Sequence, residues 1–486
     1  MKRLSELGLR ATPDPQITGL AVDSRQVKPG ALFAALPGEK MHGAEFITYA
    51  LRMGASAILT DAAGAEIARD DLQGSEAALV VSDDPRSALA YAAALWYGAQ
   101  PETLVAITGT NGKTSVASFT RQLWQALGQS AANLGTTGIE GDAAGPLSHT
   151  TPEPITLHKV LSELAESGIT HAAMEASSHG LMQRRLDGAQ LKAAAFTTFS
   201  QDHLEYHKTF EAYFDAKALL FERVLSPEGV AVLNMDDPHS AAMAERAAKA
   251  DLTCIKTGLA GQDVQIAAQR FDALGQDVLF RIGSVQKQVR LDLIGGFQAQ
   301  NVAVAIGLAL ATGASAAEVL DVAHTLKTVR GRMELAAKRQ SGAAIFVDYA
   351  HTPGAISTAL AALRPHTLGR VITVIGAGGD RDPSKRAAMG AAAQEHADLV
   401  FVTDDNPRSE DPAAIRDMVM EGAPDAINVG DRAEAILRAV DALEAGDTLL
   451  IAGKGHETGQ VIGTDVYPFD DAEHASVAVA ALEGAL

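Results

Sequence analysis

A chain of 486 residues with 47% hydrophobic side chains is long enough for about three domains, each with a sizeable core. Its formal charge of −20 argues against nucleic acid and anionic membrane surfaces as partners, so an anionic ligand must be captured by local basic residues. The single cysteine, Cys254, excludes an internal disulfide and fits a reducing cytoplasm; residues 1–10 carry charges and no apolar stretch of a signal peptide. Along residues 1–98, the apolar run 79–81, the turn Asp84-Pro85-Arg86 and an Ala-rich segment predict strand, turn and helix in a small α/β module. Next comes a strand-like run at 104–107, a glycine turn, and apolar residues at Val116, Phe119, Leu123 and Leu127, which is helical spacing. Strand-like runs at 171–176 and 193–199 end in polar clusters. The Ala- and Gly-rich stretch 302–317 is shorter than the roughly 20 residues a membrane span needs, and predicts one buried helix. From residue 331 on, four strand-like runs (344–347, 371–375, 399–402 and 449–451) alternate with Ala-rich helical stretches, the pattern of a mostly parallel sheet. A polar motif follows each run. In open α/β sheets ligands bind beyond the carboxyl ends of the strands, so these loops predict one shared site.

The run Thr108-Gly109-Thr110-Asn111-Gly112-Lys113-Thr114 has the build of a phosphate cradle. Backbone N–H groups of Gly109, Thr110, Asn111 and Gly112 and the following helix N-terminus face an anion. Lys113 reaches the outer phosphates, and Thr114 offers a hydroxyl to Mg²⁺. The usual loop has a glycine five positions before the second one; Ile107 stands there. Glu175 and His203 follow neighbouring strands and could hold Mg²⁺; His203 could equally be a hydrogen-bonded strand-end histidine. On a helix, Lys217 shares a face with Tyr213, Phe214, Leu220 and Phe221, so it either snorkels to water or is held there for a purpose.

The compact loop Gly109-Thr110-Asn111-Gly112-Lys113-Thr114 resembles that of the Mur ligases and their relatives, the folylpolyglutamate synthases. The resemblance implies an α/β protein of three domains: a UDP-substrate-binding domain at 1–98, a central P-loop-type ATP-binding domain with a mostly parallel sheet at 99–330, and a C-terminal Rossmann-like amino-acid-binding domain at 331–486. It implies an ATP-dependent amide-bond ligase of peptidoglycan precursor synthesis. ATP would phosphorylate the D-glutamyl carboxylate of UDP-N-acetylmuramoyl-L-alanyl-D-glutamate, and meso-2,6-diaminopimelate would attack the acyl phosphate. The implied metal set is Thr114, Glu175, His203 and Lys217, binding two Mg²⁺, with Lys217 carbamylated. A buried lysine loses its proton readily, and the neutral amine captures CO₂. Lys113, Glu175, His203 and Lys217 are the implied catalytic residues.

The same resemblance assigns Asn301, Arg332 and Asp348 to ATP. Asp348, with His351 nearby, could by itself equally be a helix N-cap. Ser24, Thr150, Thr151, Ser177, Gln183 and Arg185 are similar to contacts of the UDP-linked substrate; Ser24 alone could be a plain loop serine. The motif Asp405-Asn406-Pro407-Arg408, with Arg381, Gly453 and Glu457, resembles the amino-acid-selecting set of the diaminopimelate-adding branch. Arg408 would fork the distal carboxylate, Arg381 would hold the other, and Asn406 and Glu457 would accept or orient the distal amine and its neighbours. A lysine-adding enzyme would lack Arg408, and a folylpolyglutamate synthase would leave Ser24 unexplained. A degenerate nucleotide-binding regulator is opposed by Lys113, Glu175, His203 and Lys217 occurring together. The expected protein is a cytoplasmic monomer with small-molecule substrates and no membrane insertion.

Overall fold

The computed structural model describes residues 1–38 and 41–484. The chain packs as two compact units: Met1–Lys256 with Gly307–Ala314, and Thr257–Ile306 with the chain from Ser315 onward.

In the first unit, four parallel strands, Leu20–Ala21, Leu32–Ala34, Ala57–Thr60 and Ala78–Val81, stand in sequence order. The turn at Asp84 starts the helix Pro85–Tyr97 as the sequence predicts, with the Asp84 carboxylate accepting from Ser87 N and proline at the first turn. A larger sheet has the order Val230–Asn234, Leu191–Phe196, Thr103–Thr108, His171–Glu175, Ala131–Gly135, with Gly138–Gly141 antiparallel at its edge. Its inner strands are fully buried on both faces, which is why they read as unbroken apolar runs. The strand predicted at 193–199 starts earlier and ends at Phe196. Beyond it Thr197 N still donates to Thr108 O, while the hydroxyls of Thr197 and Thr198 turn to the neighbouring loop at Asn111 O.

In the second unit, Val264–Asp272, Gly275–Ile282 and Val285–Leu291 form an antiparallel meander. A six-stranded sheet has the order Glu334–Lys338, Ala344–Asp348, Thr448–Ala452, Val371–Ile375, Leu399–Val402, Ile427–Asn428; all neighbours are parallel except the first pair. The four predicted runs are its four central strands. The helix expected to run through 302–317 is Gly296–Ala311. It stops there because Ser315 caps a new helix, Ala316–Val322, in a reciprocal box with Glu318. Among the described residues no helix is long and apolar enough to cross a membrane.

One interaction ties the last helix, Asp471–Leu482, to this sheet. Arg432 and Asp471 are both fully buried, and the guanidinium donates to the carboxylate from Nε at 2.8 Å and from Nη2 at 2.7 Å. Asp471→Asn would leave a buried cation uncompensated. The expected loss is about 3–5 kcal/mol, seen as a lower urea midpoint for this unit; a midpoint equal to wild type would contradict it.

Candidate active site

In the first unit, the strand Thr103–Thr108 delivers the glycine loop to the helix Lys113–Ala126. Gly109 has φ +148°, and a Cβ there would stand 1.9 Å from Thr197 Oγ1, so only glycine lets the loop pass so close to the next strand end. Thr110 N donates to Thr198 O at 2.6 Å and Asn111 N to Thr198 Oγ1 at 3.2 Å, which fixes the loop backbone. Glu175, at the carboxyl end of the adjacent strand, is 2% exposed. It accepts from Thr114 Oγ1 at 3.0 Å, Thr136 N at 2.7 Å and Thr136 Oγ1 at 3.3 Å. A buried carboxylate held by these neutral donors, next to a helix N-terminus, is a site with spare negative charge.

The Lys113 ammonium donates to Gly109 O at 2.8 Å and Thr110 O at 2.9 Å. Lys217 donates to the same Gly109 O at 2.8 Å and lies 4.3 Å from the centre of the Tyr213 ring. It does not snorkel: it is 1% exposed, near the end of the helix Phe210–Leu219. Burial first, and then the neighbouring Lys113 charge, pull the Lys217 amine well below the usual lysine range.

His203 has φ +52° and precedes the short helix Leu204–His207. Its ring packs edge-on to His179 with centroids 5.0 Å apart, and it pairs with Asp202 at 3.5 Å. Thr114 and Glu175 are thus brought together, whereas among the described residues no three His, Cys, Asp or Glu side chains form a preformed metal cage. Sequence reasoning missed Thr136. Its signal was position, a polar residue directly after the apolar strand Ala131–Gly135, the same rule that selected Glu175.

A pocket in this unit is lined by Val22, Leu36, Arg86, Glu153, Gln183 and Arg185. Arg185 donates to Thr151 O at 2.7 Å and to Gln183 Oε1 at 2.8 Å. Thr151 Oγ1 donates to Glu175 O at 2.8 Å and accepts from Ser177 N at 3.0 Å, while Thr150 shares a hydrogen bond with Thr136. Five of the predicted residues, Thr150, Thr151, Ser177, Gln183 and Arg185, therefore belong to one hydrogen-bonded set that reaches Glu175. Ser177 also caps the helix Ser178–Met182. Ser24 is buried in the turn Ser24–Gln26, held by the Asp23 cap. Burial, and then the charge of Arg86, lower the Arg185 guanidinium, so two cations face this pocket. The sequence reading placed Arg86 only in a turn.

In the second unit, Asn301 is buried and donates to Gln298 Oε1 at 3.0 Å. Asp348 ends its strand and accepts from Met333 N and Ala350 N, both at 2.8 Å. It is not a helix cap: Thr352 caps the helix Pro353–Leu363. Burial pushes its carboxyl up, opposed by Arg332. The Arg332 guanidinium lies 4.6 Å from the centre of the Tyr349 ring.

The loops after the central strands of this unit converge as expected. A Cβ on Gly378 would stand 3.0 Å from Arg408 Nη1, 3.8 Å from Arg381 Cγ and 3.8 Å from Asn406 O. Arg408 has φ +51° and donates to Gly379 O at 2.7 Å. The Asp405 carboxylate comes within 2.7 Å of where a Gly453 Cβ would be. Asn406 Nδ2 donates to Glu457 Oε2 at 3.0 Å. Pro407 O accepts from Glu410 N, and Glu410 holds the buried Arg386 through two contacts of 2.8 Å.

Family models of the Mur ligases match three segments: "Mur ligase family, catalytic domain" at 16–97, "Mur ligase middle domain" at 107–309, and "Mur ligase, glutamate ligase domain" at 331–455. The chain is 48% identical, over 98% of its length and 96% of the relative's, to the UDP-N-acetylmuramoyl-L-alanyl-D-glutamate–2,6-diaminopimelate ligase of Brucella melitensis biotype 1. It is 45% identical to the enzyme of that name from Caulobacter vibrioides, over 99% of both chains. A solved structure titled with the same enzyme name superimposes with a TM-score of 0.70 at 32% identity, covering 96% of this chain and 95% of that one. With matches along nearly its whole length, the chain belongs to the Mur ligase family.

Proposed function

We propose that this protein joins meso-2,6-diaminopimelate to the D-glutamyl carboxylate of UDP-N-acetylmuramoyl-L-alanyl-D-glutamate, with ATP converted to ADP and phosphate, in the cytoplasmic synthesis of a peptidoglycan precursor. The observation that carries this reading is the meeting of the Arg408 guanidinium and the Arg381 side-chain stem around Gly378, in a loop cluster that also holds the carboxylates Asp405 and Glu457. A substrate with two carboxylates and two amines matches that set group for group.

The 1–98 segment and the Arg86–Arg185 pocket are assigned to the UDP-linked substrate, with Ser24, Thr150, Thr151, Ser177 and Gln183. The glycine loop is assigned to the phosphates of ATP, and Asn301, Arg332 and Asp348 to the rest of the nucleotide. Loop N–H groups and Lys113 hold the transferring phosphoryl group. The substrate carboxylate attacks the γ-phosphorus and ADP leaves; the amine then attacks the acyl carbon and phosphate leaves. No protein nucleophile is required, and positioning with charge neutralisation supplies the catalysis. The oxygen set of Glu175 and Thr114 suits Mg²⁺, which takes one or two carboxylates together with substrate phosphates. His203 and a Lys217 carbamate would hold a second ion. When bound, the metal offsets the phosphate charge.

The low proton affinity of Lys217 supports the carbamate, since CO₂ adds to a neutral amine. Lys217→Ala is expected to lose about 10³-fold or more in kcat and to regain part of it with millimolar acetate. A folded Lys217→Ala enzyme with near-wild-type kcat would contradict the assignment. The acyl-phosphate route is tested with ¹⁸O in the D-glutamyl carboxylate: one labelled oxygen should leave in inorganic phosphate for each tripeptide formed. Label-free phosphate would exclude the route.

A further inference from the structure

In the second unit, Lys454 is completely buried although it lies in a Gly-Lys-Gly loop. Burial pulls its ammonium down, with the Asp405 carboxylate opposing. Its Nζ donates to Gly459 O at 2.7 Å and to Asn406 Oδ1 at 2.9 Å, and lies 3.5 Å from Glu457 Oε2 and 3.7 Å from Asp405 Oδ1. The same Asn406 Oδ1 also accepts from the backbone N–H of Val461 at 2.9 Å.

These contacts decide a question that carboxamides usually leave open, which end is oxygen. The reversed amide would turn its N–H groups towards the Val461 N–H, which cannot accept, and its oxygen towards the Glu457 carboxylate. Both contacts would be repulsive. With Oδ1 taken by two donors, Asn406 has only donors left to offer, one of them already on Glu457 Oε2. The residue is 6% exposed, so a wrongly turned amide would not be rescued by bulk water.

We infer that Lys454 is a positioning residue for amino-acid selection: it locks the Asn406 carboxamide so that its free N–H meets a carboxylate of the incoming amino acid, leaving the amines to Asp405 and Glu457. This rests on the diaminopimelate-ligase reading and gives Asn406 a donor's part where the sequence alone leads it to be expected to accept or orient the distal amine and its neighbours. Asn406 O and Arg408 Nη1 both lie near Gly378, so the locked amide belongs to the same loop cluster as the Arg408 guanidinium. Lys454 touches no substrate in this scheme; it acts through Asn406 and by holding Asp405 and Glu457 in place.

The test is steady-state kinetics on the full-length enzyme, with thermal melts for each variant. Lys454→Met should raise KM for diaminopimelate by about tenfold or more, with KM for ATP and for the UDP-dipeptide within about twofold of wild type. Lys454→Gln, which keeps a shorter N–H donor, should fall between Met and wild type. In an Asn406→Ala background, Lys454→Met should add less than about threefold, because the two residues act as one unit. Asn406→Asp keeps the acceptor for Lys454 and Val461 but removes the outward donor, and should raise the same KM at least as much as Lys454→Met. A folded Lys454→Met with wild-type KM for diaminopimelate, an equal rise in all three KM values, full additivity with Asn406→Ala, or Asn406→Asp with wild-type KM would each overturn the inference. If Lys454→Met does not fold, the Asn406→Asp result decides. Wild type that fails to use diaminopimelate would instead refute the functional reading.

Discussion

Lys113→Ala is expected to lose on the order of 10³-fold or more in turnover while keeping its fold. Its ammonium donates to two carbonyl oxygens of its own loop, Gly109 O and Thr110 O, and the side chain is half-buried. Losing two such hydrogen bonds costs about 1–2 kcal/mol of stability, since Gly109 O still accepts from Lys217 and Thr110 is only half-buried. In the proposed function, however, no other side chain of the loop carries positive charge to the transferring phosphoryl group; Thr110, Asn111 and Thr114 are neutral. Lys217 cannot replace it, because it is buried and its amine is held well below the usual lysine range. Thermal melts with an ADP-release assay check this. Near-wild-type ADP release from folded Lys113→Ala would remove the loop from the chemistry.

Arg408→Ala is expected to abolish most discrimination between diaminopimelate and L-lysine. Diaminopimelate carries a second carboxylate on its distal carbon, and a guanidinium fork can bind it through two parallel charge-assisted hydrogen bonds. Lysine has no carboxylate there and would bring its ammonium towards a cation. A site built from polar groups rejects an analogue lacking the partner by about 10⁴-fold or more in kcat/KM, because those groups stay unpaired. The Arg408 backbone supports such a fixed fork: φ is +51°, its N–H donates to Val461 O at 3.1 Å, and its carbonyl accepts from Gly463 N at 2.7 Å. Arg408→Lys should behave nearly as badly as Arg408→Ala, since ammonium lacks the planar fork. Wild-type kcat/KM values that are comparable for the two amino acids, or discrimination unchanged in Arg408→Ala, would contradict this role.

The parts legible in the sequence were those in which neighbouring residues act together. The phosphate loop is seven consecutive residues between an apolar run and a helical pattern, and the structure has strand, loop and helix there. The four central strands of the second unit were legible because a parallel strand buried on both faces is simply apolar. Its edge partners were not: Ile427–Asn428 has only two residues, both exposed, and Glu334–Lys338 mixes charge with alanine. The antiparallel meander of Val264–Asp272, Gly275–Ile282 and Val285–Leu291 also went unread. It is buried on one face only, so its signal is an alternation of single residues such as Val264 and Ile266, or Val278 and Phe280, among many polar ones. Among the site residues, the apolar face around Lys217 left snorkelling and burial both open, and the structure buries it. Lys454 gave no such sign. Glycines flank it, and its burial comes from Asn406, 48 residues away, and from Gly459 at the start of a hairpin strand. Contacts made across that separation leave no periodic trace in the chain.

The central claim is most directly tested by ADP release from the purified full-length protein with ATP, Mg²⁺, UDP-N-acetylmuramoyl-L-alanyl-D-glutamate and one amino acid at a time. The account predicts rapid ADP release with meso-diaminopimelate, with one equivalent of tripeptide formed per ADP, and rates with L-lysine at least several orders of magnitude lower in kcat/KM. ADP release that is equally fast with L-lysine, or that does not depend on the UDP-dipeptide, would contradict it.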